Sequence, residues 1–385
     1  MKHLSKLAMN YPVSGIRKMS DLAAQYDDVI NLTLGEPNFN TPLNIKEAAK
    51  KAIDEGHTHY NPNAGIYELR TAIAEKYSKY SRDYTFENVM ITVGGMEAIT
   101  LSLLSTIDPG DEVIIPDPCF SNYSGQIMIA GATPVPVPIY EINDFNIKAE
   151  DIEKAITPKT KGILLNSPSN PMGSVLDKAD VEEIAKLAEK YDLIIYSDEV
   201  YDQIIYDDNE FFSIAQIPEV RDRVIIINSL SKSYAMTGWR LGYVVGSKEI
   251  ISNMRNLQEG IVSCVPTFIQ KAAVEAFTGS QDVVKSMIKD YTRRRDILID
   301  GLNNIPGISC KKSPGSFYAF ANIKSFGKTS MEFAEELIRE ARVVAVPGSA
   351  FGIMGEGYMR FVFANSDENL KEAVRRIDEY IRKKY

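Results

Sequence analysis

The sequence predicts an α/β protein with a mostly parallel central sheet, helices on both faces of it, and a smaller α+β section. Three observations predict this. From residue 88 to about 245, short apolar runs alternate with helix-period stretches, the rhythm of successive βα units. Beyond 245 the texture changes to long helices with a few short apolar runs between them. Residues able to do chemistry, Gly94 to Met96, Phe120, Asn170, Asp198, Tyr201 and Lys232, fall just past the ends of the apolar runs. In open α/β sheets that carboxyl edge is where ligands bind.

Residues 1–45 read as irregular. They include the turn-rich stretch Leu34-Gly35-Glu36-Pro37-Asn38-Phe39-Asn40-Thr41-Pro42, where Gly35 serves either close approach of backbone to a ligand or a plain turn. Helical patterns cover 44–55, stopped by Gly56, and 66–79, with a Pro, Gly and Asn-rich loop beginning at Tyr60 between them. A strand at 89–93 leads into Gly94-Gly95-Met96-Glu97, which opens a helix to about 106. Such a turn forms an anion cradle, because unpaired N–H groups and the helix dipole converge there.

Strand 113–115 closes at Pro116-Asp117-Pro118-Cys119-Phe120, and the aromatic either stacks on a planar ring or joins the core. Strand 163–165 opens onto Asn166-Ser167-Pro168-Ser169-Asn170-Pro171-Met172-Gly173. A helix at 177–190 precedes strand 193–196, which ends at Ser197-Asp198-Glu199-Val200-Tyr201. Strand 224–227 is followed by Ser229-Leu230-Ser231-Lys232, with Arg240 eight residues after the lysine. Helices then follow at 248–260, 266–278 and 281–302, a strand at 317–321, a helix at 330–341, a strand at 359–363 and a closing helix at 367–383. The expected division is an arm with part of a small domain at 1–45, a large domain at 46–280 and a small C-terminal domain at 281–385.

Composition narrows the function. A formal net charge of -9 over 385 residues, with no basic run to offset it, argues against nucleic-acid or anionic-membrane partners. The densest basic cluster, Arg293-Arg294-Arg295, lies between Asp290 and Asp296 and reads as a solvated helix face. Cys119, Cys264 and Cys310 are far apart, which suggests no disulfide framework or zinc site and fits a reducing compartment. With no bilayer-length apolar run and no signal-peptide core, the expected location is the cytoplasm. The only histidines, His3, His57 and His59, lie early and away from every motif, so histidine-based triads and metal sites are not expected. The chemistry is left to lysine, tyrosine, carboxylates or a cofactor.

A lysine beyond a buried strand, fenced by serines and followed by an arginine, is either a solvated loop lysine, the commoner case, or the amine of an enzyme that holds a phosphorylated aldehyde. The amine must be desolvated to lose its proton and attack, and the phosphate needs hydroxyls and a guanidinium. Taken together, Leu34-Gly35-Glu36-Pro37, Asn170-Pro171-Met172-Gly173, Asp198-Glu199-Val200-Tyr201, Ser229-Leu230-Ser231-Lys232, Gly238-Trp239-Arg240-Leu241-Gly242 and Arg360-Phe361 resemble the motif set of class I/II aminotransferases. These are pyridoxal-phosphate enzymes of fold type I in the aspartate aminotransferase superfamily, and the resemblance covers nearly the whole chain.

The resemblance implies that Lys232 bonds the aldehyde of pyridoxal 5'-phosphate as a Schiff base and then moves the reacting proton. It implies that Asp198 pairs with the ring nitrogen, that Tyr201 and Asn170 bind the ring hydroxyl, and that Phe120 stacks on the ring. Gly95, Met96, Ser229, Ser231 and Arg240 surround the phosphate, and Tyr60 reaches it from the neighbouring subunit of a homodimer. Arg360 clamps the substrate α-carboxylate with help from Asn170 and the Gly35 backbone.

Two departures bear on substrate. The stretch Leu257-Gln258-Glu259-Gly260-Ile261-Val262-Ser263-Cys264-Val265-Pro266 lacks the arginine that dicarboxylate-selective members often carry before a Ser-Asn-Pro segment. Met96 stands where some aspartate-selective relatives have lysine. Both favour an aromatic or broad donor with an acceptor such as 2-oxoglutarate, in a ping-pong route. A C–S β-lyase of the same fold and an acyl-diaminopimelate aminotransferase are the alternatives. A ligand-sensing regulator is disfavoured, because the chain has no spare basic domain.

Overall fold

A computed structural model describes residues 3–12, 15–80 and 83–385. Seven strands form the large sheet: β1 Val89–Thr92, β2 Glu112–Asp117, β3 Thr133–Pro138, β4 Thr160–Asn166, β5 Ile194–Asp198, β6 Val224–Ser229 and β7 Gly242–Val245. Their order across the sheet is β1-β7-β6-β5-β4-β2-β3. Only β7 runs against its neighbours, β1 and β6. The carboxyl ends of β1, β2, β4, β5 and β6 therefore share one edge.

Successive residues of the central strands feed two separate apolar clusters. Ile163, Leu165, Val224 and Ile226 pack into one, and Leu164, Ile225 and Ile227 into the other. A sheet covered by helices on both faces requires this unbroken apolarity. Gly94–Thr106 packs against β6 and β7, while Lys178–Lys190 sits in the opposite cluster through Val181, Ile184 and Ala185.

A four-stranded antiparallel sheet is built from β8 Ser309–Cys310, β9 Tyr318–Asn322, β10 Val346–Pro347 and β11 Tyr358–Val362, in the order β10-β11-β9-β8. The helices Asp282–Asn303 and Asp367–Lys384 pack on each other beside it. On β11, Arg360 pairs in register with Phe320 of β9.

Three readings of the sequence are corrected. The segment 1–45 is not irregular throughout: Lys6–Asn10 and Gly15–Ala23 are helical, and Ile30–Asn31 pairs in parallel with Val343–Val344. Met19 and Ala23, four apart and both buried, give the second helix its inward face. The helix expected at 330–341 is α-helical over Ser330–Glu336 and then widens to a π turn at Leu337–Ala341. The arginine cluster is not a solvated face. Arg295 is fully buried and forks onto Asp207 at 2.8 and 3.1 Å, while Arg294 bonds Asn38 at 2.8 Å and packs over the Phe39 ring. Burial of these cations is tolerated because each has found acceptors.

Candidate active site

The shared edge opens on a cavity of about 350 Å³ between the two sheets. Its wall includes Gly35, Gly95, Met96, Phe120, Asn170, Asp198, Tyr201, Ser229, Ser231, Lys232, Arg240 and Arg360, residues drawn from across the chain. A larger hollow of about 830 Å³, under the loop 207–212, touches none of these. Tyr60 is the one candidate outside the cavity, and it is 89% exposed.

Each residue is held by its element. Lys232 lies in the short helix Leu230–Ser233 directly after β6, and the Ser229 hydroxyl caps that helix by accepting from the Ser231 N–H at 3.1 Å. The Lys232 amine donates to the Gly35 carbonyl at 2.6 Å. Burial lowers its pKa to about 8; among the nearby charges, Glu36 opposes this, while Arg360 and Arg240 reinforce it. Asp198, the last residue of β5, is pushed the other way, to about 6, again chiefly by burial. Its carboxylate is restrained by the Tyr123 hydroxyl, which donates to Oδ2 at 2.6 Å.

At the other wall, Gly94 adopts φ +76° as the helix Gly94–Thr106 begins, and an added Cβ there would lie 2.5 Å from the Arg240 guanidinium. Arg240 itself donates to the Thr237 carbonyl at 3.0 Å and is exposed, with no carboxylate bound among the described residues. The Ser229 and Ser231 hydroxyls meet at 2.8 Å. This corner offers N–H groups, hydroxyls and an uncommitted cation, and so has the chemistry of a phosphate site.

Arg360 is 1% exposed, and its guanidinium lies between the rings of Tyr318 and Phe351, 4.7 and 4.8 Å from their centroids. It donates to Asn170 Oδ1 at 2.9 Å and to the Thr33 carbonyl, while its Nε has no partner among the described residues. A buried cation with an unsatisfied donor is costly, and a bound carboxylate would satisfy it.

Sequence reasoning missed Tyr123 and Tyr318. Tyr123 lies on Asn122–Ile129, a helix the apolar pattern did not announce. Tyr318 lies on an expected strand, and its hydroxyl meets that of Tyr201 at 2.7 Å. Among the described residues no His, Cys, Asp and Glu cluster suits a metal ion, and no helix is long and apolar enough to cross a membrane.

A doubly covered α/β sheet whose carboxyl edge carries a desolvated lysine, facing two arginines with no carboxylate partner among the described residues, fits a group-transfer enzyme of the aldehyde-cofactor kind. Comparison with known proteins makes the family definite. The model of "Aminotransferase class I and II" matches residues 27–377. The "Aspartate aminotransferase" of Pyrococcus abyssi is 46% identical over 96% of both chains, and the "Aromatic-amino-acid aminotransferase 2" of Thermococcus litoralis is 44% identical over 96% of both. The solved aromatic aminotransferase from Pyrococcus horikoshii superposes with a TM-score of 0.90 at 43% identity, covering 95% of this chain and 99% of that one. The chain belongs to the class I and II aminotransferases, fold-type I enzymes that use pyridoxal phosphate and act on amino and 2-oxo acids.

Proposed function

We propose that this chain transfers an amino group from an L-amino acid to a 2-oxo acid, 2-oxoglutarate foremost, by a ping-pong route on pyridoxal 5'-phosphate. One observation carries the reading: a lysine amine driven toward neutrality shares a cavity with two arginines that bind no carboxylate. The residues fit the cofactor. Gly95, Met96, Ser229, Ser231 and Arg240 suit its phosphate, and Phe120 suits the ring face. Asp198 suits a protonated ring nitrogen. Tyr201 and Asn170 suit the ring hydroxyl, since Arg360 occupies the Asn170 carbonyl and leaves the amide N–H free. The bound group supplies an electron sink for the pair left when the donor loses its α-proton.

The chain's own residues supply the rest. Lys232 anchors the cofactor and, once released, takes the α-proton from the donor Cα. Arg360, with Asn170 and the Gly35 backbone, orients the α-carboxylate so that this proton faces the amine. Tyr60, exposed here, is proposed to reach the phosphate of a second copy, so a homodimer of roughly twice 43.0 kDa is expected in solution.

An aromatic or broad donor is supported by Met96 and by the arginine-free stretch 257–266, together with relatives named for aspartate and for aromatic amino acids. Those names do not favour the C–S lyase, whereas a relative 42% identical over the whole chain is named "Probable N-acetyl-LL-diaminopimelate aminotransferase", which keeps that alternative in view. The large domain at 46–280 with small-domain parts at 1–45 and 281–385, and a cytoplasmic location suggested by three unpaired cysteines, are proposed on the same terms.

Purified protein is expected to absorb in the visible as lysine-bound cofactor, to lose the band with an amino donor and to regain it with a 2-oxo acid. Undiminished turnover in Lys232→Ala overturns the assignment.

A further inference from the structure

We propose that Tyr318 is a positioning residue for this site: its hydroxyl donates to the Tyr201 oxygen and turns the Tyr201 O–H into the cavity. The inference rests on the cofactor reading above, because the group that then receives the Tyr201 hydrogen is the ring oxygen.

The two phenols are buried, and their oxygens lie 2.7 Å apart. Each oxygen has only the other as a hydrogen-bonding partner among the described contacts. One bond consumes one of the two hydrogens, so the acceptor keeps a spare O–H that must point elsewhere. A spare hydrogen on Tyr318 would sit against the Gly35 backbone. A Cβ added at Gly35 would lie 2.4 Å from the Tyr318 oxygen, and the Gly35 carbonyl is already engaged by Lys232 through one of its two lone pairs. Both phenols line the cavity, so with Tyr318 as the donor the spare hydrogen is on Tyr201 and is free to point into it.

The surrounding charge selects the same direction. Burial raises the pKa of both phenols, and the Arg360 guanidinium opposes this at both, most directly at Tyr318, whose ring centroid lies 4.7 Å from it. The more acidic phenol is the better donor, so Tyr318 gives and Tyr201 accepts. A hydroxyl that accepts one hydrogen bond donates the next more strongly.

The consequence is read from the bound cofactor. A donor on the ring oxygen withdraws electron density and lowers the pH at which the holoenzyme chromophore loses its proton. Losing the Tyr201 hydrogen bond should raise that pH by about one to two units. Losing only the reinforcement from Tyr318 should raise it by about 0.1–0.6 unit. Asp198, Lys232, Arg240, Arg360 and Glu36 share the cavity with the pair and are unchanged in every variant, so differences report the phenols alone.

The experiment is a spectrophotometric pH titration of the wild-type holoenzyme and of Tyr318→Phe, Tyr201→Phe and the double variant. Tyr318→Phe keeps the ring under Arg360, so the donor KM should stay within about twofold while the titration moves up. The double variant should match Tyr201→Phe, because Tyr318 acts only through Tyr201. A Tyr318→Phe curve superimposed on wild type overturns the inference, as does a double-variant shift equal to the sum of the single shifts. A wild-type protein that takes up no cofactor band removes the cofactor reading itself, and this inference with it.

Discussion

Asp198 stands between two opposed influences. Burial raises its pKa to about 6, and the Tyr123 hydroxyl at 2.6 Å and the Val200 N–H restrain it. A hydrogen bond to a charged acceptor is worth about 1.5–3 kcal/mol, so Tyr123→Phe should favour the protonated carboxyl by about one to two pH units. The acid limb of the kcat/KM profile should therefore move up, with a loss of about tenfold near neutrality. The T-shaped contact with Phe120 is kept, so an unchanged acid limb would show that the bond does not set the charge of Asp198. Lys232, Asp198 and Arg240 were legible because contiguous motifs carry them. Tyr123 and Tyr318 were not, since what each hydroxyl meets depends on chain 75 and 117 residues away. The misread arginine cluster has a geometric cause. Residues on a helix advance about 100° each, so three in a row span too wide an arc for all to face solvent. Arg293 alone takes the outer position, bound to Asp290 and Asp367.

Among the elements, the helix Gly94–Thr106 was read with its true ends, because the paired glycines mark a turn only a left-handed backbone can make. Gly94→Ala should cost about 1–3 kcal/mol of stability from strain at φ +76°. The new methyl also displaces the Arg240 guanidinium, so cofactor affinity should fall about tenfold or more, measured by titrating the apoenzyme. Lost stability with unchanged cofactor affinity would remove Gly94 from the phosphate corner. The sequence hid β3, Thr133-Pro134-Val135-Pro136-Val137-Pro138, because its prolines argue against a strand. It is an edge strand paired on one side only, to β2. Thr133 and Ile139 donate inward, to Asp111 and Asp117, so the alternate positions 134, 136 and 138 face the open edge. There proline gives up no ladder bond, and it denies the edge to another chain.

At the scale of the molecule, the βα rhythm made the large sheet legible, whereas the order of its strands and the closure of the second sheet over its edge depend on long-range packing. The same closure buries a polar layer behind the cavity. Glu199, next to Asp198, is 1% exposed and accepts from Ser213 at 2.7 Å and Ser197 at 3.0 Å, with its second oxygen unpartnered. Lys76 and Asp202, paired at 2.6 Å, and Tyr77, Tyr80 and Tyr243 complete this layer. Burial first, and then Asp202, push the Glu199 pKa up to about 7 from an ordinary 4.5. Between those values the folded chain holds a proton that the unfolded chain has released. This contribution to stability is full below about pH 4.5 and is lost as pH rises through about 7. The loss amounts to up to about 3 kcal/mol at 1.36 kcal/mol per unit. Asp198 adds a loss of the same sign between 3.8 and about 6. Glu199→Gln keeps the shape and removes the titration, so denaturant unfolding should find the variant close to wild type at pH 5 and more stable at pH 8. A stability difference between variant and wild type that is the same at both pH values would mean that Glu199 stays ionised in the fold, held by Lys76 more strongly than burial opposes it.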